Sequence, residues 1–174
     1  MYWAARRSVL RSGPMFLISD DLHSLRRDLE AADSATAVLQ ARCEALGLPG
    51  GPRVQARVEP CAAEADARIR ERLQVEPGED VACRRVRLVW GEQVLSRAVN
   101  WYRPGRLTAD MRRRLAETDE PFGVVARPLG YRRIRLETRL VEAAGRTSSL
   151  HCRALLVTGA GEPLALVEEI YPGD

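Results

Sequence analysis

Five stretches between Val81 and Pro172 alternate apolar and polar residues, and short turns punctuate them. VACRRVRLVW, the dipeptide GE and QVLSRAVNWYRP read as a hairpin. YRRIRLETRLVEA, SLHCRALLVTG and EPLALVEEIYP read as three more strands, joined by AGRTS and AGE. Successive side chains of a strand point to opposite faces, and strands linked by a few residues pair antiparallel. RVQARVE, earlier in the chain, adds another strand of the same period, for about six in all.

The remaining segments have helical spacing. In SDDLHSLRRDLEAAD, Ser19 is an N-cap candidate, two acids follow it, and Leu22, Leu25 and Leu29 recur on one side. DSATAVLQARCEALGLPGGP restarts the pattern, capped by Asp33 or Ser34, with Val38, Leu39, Cys43 and Leu46 as its inner stripe and Gly47 at its end. AAEADARIRERLQV, with Ile69 and Leu73 inward, and LTADMRRRLAE, capped by Thr108, are two further helices. TDEPFGVV reads as a Pro/Gly turn. The predicted fold is α+β: one antiparallel sheet with helices against one face.

Composition narrows the function. At 174 residues the chain is one domain with a core of its own. Residues 1–15 read as a disordered arm, with Met15 a plausible beginning, and residues 16–174 as the domain. No apolar run is long enough to cross a bilayer, so no membrane is expected as partner, and the location is cytoplasmic. All 27 basic residues are arginine. That excludes a Schiff-base lysine and a Walker-type lysine. A net charge of +3 and nine aromatic residues give no case for nucleic acid as a partner. Cys43, Cys61, Cys83 and Cys152 form no C-x-x-C pair and read as small buried hydrophobes in a reducing compartment. His23 and His151 lack metal-ligand spacing, and no metal or cofactor is expected. Sequence does not decide between monomer and dimer.

Two charges stand out in the strand pattern. Leu164, Leu166, Glu168 and Ile170 share one side of the last strand, so Glu168 sits among three aliphatic side chains. Ala165, Val167, Glu169 and Tyr171 share the other side. In the hairpin, Arg84 is the only charge on the side of Ala82, Val86, Leu88 and Trp90. A carboxylate and a guanidinium on apolar strand faces suggest a shared site, with a structural salt bridge or a solvated face as the alternatives.

The order and spacing of CRRVRL, GE, NWYRP, EPFG and GEPLALVEEIYP, together with DSAT, resemble the chorismate lyase family over residues of about 16 to 172. They also resemble the related effector-binding domain of bacterial winged-helix regulators. With no room for a winged helix before residue 16, the stand-alone lyase is the expected form. The resemblance implies a chorismate lyase-like fold with an enclosed ligand cavity. It implies removal of pyruvate from chorismate to leave 4-hydroxybenzoate, without a cofactor. By position, Glu168 would be the general acid and Arg84 the carboxylate clamp, with Arg85 or Arg87 open by register slip. Ala35, Phe122 and Gly123 would line the ligand pocket. A second substrate carboxylate would need a second donor, for which Arg153 is the candidate, with a solvated sheet-edge arginine as the alternative. Ala35 stands where the family carries Met, which leaves room for a larger substrate. The alternatives are a non-catalytic binder of a small aromatic acid and a related lyase acting on another unsaturated acid.

Overall fold

The computed structural model describes residues 22–143 and 146–173. The proposed arm over residues 1–15 and the Ser19 cap lie outside the described residues. Six strands carry the frame: β1 (Gln55–Glu59), β2 (Ala82–Trp90), β3 (Gln93–Tyr102), β4 (Arg132–Ala143), β5 (Arg146–Val157) and β6 (Pro163–Pro172). They form a single antiparallel sheet in the order β1-β2-β3-β6-β5-β4. β6, the last strand in sequence, therefore lies near the centre, between β3 and β5.

The helices are α1 (Leu22–Ala31), α2 (Ala35–Ala45), α3 (Ala67–Arg72), α4 (Ala109–Glu117) and α5 (Phe122–Val125). In α1 the leucines at 22, 25 and 29 are buried. Ser34 caps α2, its Oγ accepting from the Ala37 N–H at 3.2 Å, and Leu39 and Cys43 face inward. Leu46 does not join that stripe. The helix ends at Ala45, Gly47 turns away with φ +59°, and Leu46 is 53% exposed. Thr108 caps α4 through Met111 N–H at 3.1 Å. The stretch expected as a plain turn after Glu120 folds as the one-turn α5 behind Pro121.

Helices α1, α2, α4 and α5 cover one face of the sheet, here the inner face. Leu25, Leu39 and Cys43 pack there on Val86, Leu88, Ala98, Leu150 and Tyr171. Further along, Met111, Leu115, Phe122 and Val125 pack on Leu156, Ala165 and Val167. The expectation of helices on one face only is corrected by α3. It lies on the opposite, outer face, where Leu73 and Ile69 meet Trp101 and Leu166. Ile69 and Leu73 have no free inner surface to occupy, because the other four helices fill it.

Cysteine chemistry also differs from expectation. Cys61 and Cys83 are joined as a disulfide, whereas Cys43 and Cys152 are free and buried. Pairing between distant cysteines carries no C-x-x-C spacing. Here it is set by the fold, which carries the chain after β1 back beside β2.

Candidate functional site

Sheet register decides which charges can meet. Arg84 of β2 lies opposite Asn100 of β3, which lies opposite Val167 of β6. The next row holds Val86, Ala98, Glu169 and Cys152. These residues point to the inner face. Glu168 lies opposite Val99 and Arg153, and all three point outward. The sheet itself therefore separates Glu168 from Arg84, and the expected pairing of these two groups does not occur. Glu168 is instead bound to Arg153 at 3.0 Å, both side chains more than 40% exposed. Arg153 is likewise removed from the inner site.

The carboxylate that β6 sends inward is Glu169, one place further on, and it is 5% exposed. Arg133 at the start of β4 reaches across β5 and holds both its oxygens, Nη1 donating to Oε1 at 3.4 Å and Nη2 to Oε2. Burial alone would push the Arg133 guanidinium down, but Glu169 beside it, with Tyr171, holds it above its usual value. The backbone N–H of Arg133 donates to Asp33 Oδ1 at 3.0 Å, tying β4 to the turn before α2.

Around this pair lies a partly open pocket of about 40 Å³. Asp33, Ser34, Ala35 and Thr36 at the start of α2 line one side, and Pro121, Phe122 and Gly123 another. Val86, Asn100 and Val167 form the floor. Ala35, Phe122 and Gly123 are thus brought together as cavity wall. Tyr131 closes the gap between α5 and β4, its Oη donating to Gly123 O at 3.2 Å. Glycine suits the contact, because a Cβ at 123 would come within 2.7 Å of the Tyr131 Oη and push the phenol aside.

Arg84 is 4% exposed on the same face, beside Asn100, and its Nε, Nη1 and Nη2 are buried without a hydrogen-bond partner. Desolvation pushes this guanidinium down from its ordinary value, and Tyr102 opposes the shift only weakly. Burial in turn raises the Tyr102 phenol, and Arg84 draws it back. Phe122 touches both regions: it lines the cavity and packs on Tyr102 with ring centroids 5.2 Å apart. Unpaired buried charge is costly, so a guanidinium of this kind could accept an anion.

Arg84, singled out by its solitary charge on an apolar side, does face inward and is buried, while Glu169, Arg133 and Asn100, which share that face, were not singled out in the sequence. Asn100 was legible on the same principle, as a polar residue in the inward series of β3. Among the described residues no cluster of His, Cys, Asp and Glu could hold a metal, and no helix is long and apolar enough to cross a membrane.

No family model matches the chain. The protein y4mC of Sinorhizobium fredii, itself described as uncharacterized, is 41% identical over 122 residues, 69% of this chain and 52% of that protein. The chain thus spans about half the length of the curated relative it matches. Among solved structures, PhnF from Mycobacterium smegmatis superposes with a TM-score of 0.60 at 16% identity, covering 82% of this chain and 65% of that one. The effector domain of PhnF gives 0.57 at 16% identity, covering 78% and 88%. A GntR-family transcriptional regulator from Enterococcus faecalis gives 0.52 at 14% identity, covering 68% and 93%. The architecture shared with these structures is the chorismate lyase-like fold: one six-stranded antiparallel sheet with helices.

Proposed function

We propose that the domain binds a small organic anion on the inner face, as an effector-binding module. The acid group of the ligand would sit on Arg84. The Glu169–Arg133 pair and Asn100 would contact its other end through hydrogen bonds. The observation that carries this reading is the Arg84 guanidinium, with three buried nitrogens and no partner among the described residues. Likeness in fold to regulator effector domains supports it. A cavity of about 40 Å³ holds little more than water, so an organic ligand would have to widen it. Phe122 is the side chain whose displacement would join the cavity to Arg84.

Chorismate lyase chemistry, which the sequence resemblance implied, has one feature in its favour: β6 does deliver a carboxylate to the cavity wall. Glu169 is, however, engaged on both oxygens by Arg133, which makes it a hydrogen-bond acceptor rather than a proton donor. Effector binding is therefore the better-supported reading.

The test is a thermal-shift and calorimetric screen of small carboxylates and phosphate esters, chorismate and 4-hydroxybenzoate included, against the native protein and Arg84→Met. Binding by the native protein that Arg84→Met abolishes is the expected result. Binding that survives Arg84→Met sinks the assignment of the anion site. Formation of pyruvate and 4-hydroxybenzoate above the spontaneous rate would reinstate the lyase.

A further inference from the structure

Residues 60–81, between β1 and β2, pack over part of the outer face. Their own packing is thin. Helix α3 has six residues and buries none of them, and Leu73 is the one fully buried side chain of the segment. Beneath the segment lie Trp101, Leu166 and Leu155. Beyond its edge the same face opens into a groove of about 490 Å³ beside Arg97, Arg153, Glu168 and Ile170. The cover therefore separates a closed apolar patch from an open charged one.

Two ties fasten it. Arg103 donates from Nε and Nη2 to the two oxygens of Glu79, each at 2.7 Å, and from Nη1 to Leu73 O at 3.2 Å. The other tie is covalent: Cys61, on the chain leaving β1, is bonded to Cys83 near the start of β2, a span of 22 residues. Both cysteines are partly exposed, so a small thiol can reach them. Cys43 and Cys152 are no competitors. They are buried on the inner side, and desolvation pushes both thiols up to about 11, so neither is ionised near neutral pH.

We propose that the Cys61–Cys83 bond is a redox-operated latch on the outer cover, released by a dithiol reductant. A thiolate of the reductant attacks one sulfur and forms a mixed disulfide, and the other cysteine leaves as thiolate. The second thiol of the reductant then closes its own disulfide and frees the remaining cysteine. Two electrons pass to the protein, two cysteine thiols result, and the dithiol becomes a disulfide. Released, the segment keeps the Arg103 clamp, Leu73 and the partly buried Ala65, Ile69, Val75 and Val81, and it swings from the Trp101–Leu166 patch. The inner face has its own four helices and stays closed. The latch is independent of the anion site.

Hydrogen exchange read peptide by peptide, with and without dithiothreitol, tests the inference on the whole chain. The amides of Arg70, Leu73, Gln74 and Val75 are hydrogen-bonded within the segment and report on it. Without reductant, alkylation of denatured protein should find the Cys61–Cys83 disulfide. Reduction should speed exchange at these amides by roughly 300-fold at most, the loop-closure effect expected of a crosslink of this span. Peptides of α1, α2 and β6 should keep their protection. Cys61→Ser should reproduce the fast exchange and make it indifferent to dithiothreitol. Unchanged exchange on reduction overturns the latch, as does finding Cys61 and Cys83 as free thiols before reduction. A loss of protection spread evenly over the whole sheet also overturns it, by making the bond a general staple.

Discussion

Glu168 and Glu169 are the same residue type on consecutive positions of one strand, yet they live in different media. Glu168, on the outer face, is about two-fifths exposed and meets Arg153 at the edge of an open groove. Glu169, on the inner face, is nearly sealed and is gripped at both oxygens by Arg133. A strand turns alternate side chains to opposite sides, so a single step in sequence crosses the whole thickness of the sheet. What lies above each face then sets the worth of the charge. Four helices exclude water from one side, and a thin cover leaves a groove of the other side wet. The outer pair is worth little, whereas the inner pair would cost heavily if broken.

The largest expected effect follows directly. Glu169→Gln should destabilise the fold by about 3–5 kcal/mol, the cost of stranding one member of a buried pair. Arg133→Met combined with Glu169→Leu should recover most of that loss. Glu168→Gln should cost less than about 1 kcal/mol and should matter still less in high salt. Urea titration of these variants checks all of these values, and equal losses at 168 and 169 would break the contrast between the faces.

Next comes Arg84→Met. Removing an unsatisfied buried charge should stabilise the unliganded protein by about 1–3 kcal/mol while eliminating anion binding. Thermal melts with and without a screened ligand separate the two effects. A destabilised variant would mean that Arg84 has a partner inside the fold. Gly123→Ala should cost about 1–3 kcal/mol by pushing a methyl group against Tyr131 Oη. Adding Tyr131→Phe should return most of it, because the next atom of that ring is 3.8 Å away.

The smallest effect is on the outer cover. Arg103 holds the Glu79 carboxyl below its usual range, through the side-chain hydrogen bonds first. A depressed carboxyl adds stability above its unfolded value and loses it as pH falls through the folded one. Acidification below the ordinary Glu range should therefore loosen residues 60–81. Protection factors at α3, the exchange rates divided by the intrinsic rate at each pH, should fall in native protein as pH is lowered and stay flat in Glu79→Gln.

The sheet was readable because its evidence is local: period two, short turns and capping residues at Ser34 and Thr108. The side of the sheet on which each set of residues would lie was not readable. Leu164, Leu166 and Ile170 look as apolar as Ala165, Val167 and Tyr171, and nothing within β6 says which set the helices cover. The inward-facing carboxylate was therefore placed one residue early. Arg84 escaped this ambiguity because β2 is lopsided, with Val86, Leu88 and Trp90 on one side and Arg85 and Arg87 on the other. Arg133 and the Cys61–Cys83 bond depend on contacts between distant segments, which periodicity does not encode.

The paired glutamates also leave β6 without an electrostatic means of knowing its own alignment. Sliding it by one place would carry one acid in as the other left, so the charge map would scarcely change. Tyr171, wholly enclosed, and Ile170, 42% exposed, would trade environments in that slide. The tyrosine is therefore the strand's alignment pin, and a smaller side chain there would invite two coexisting registries.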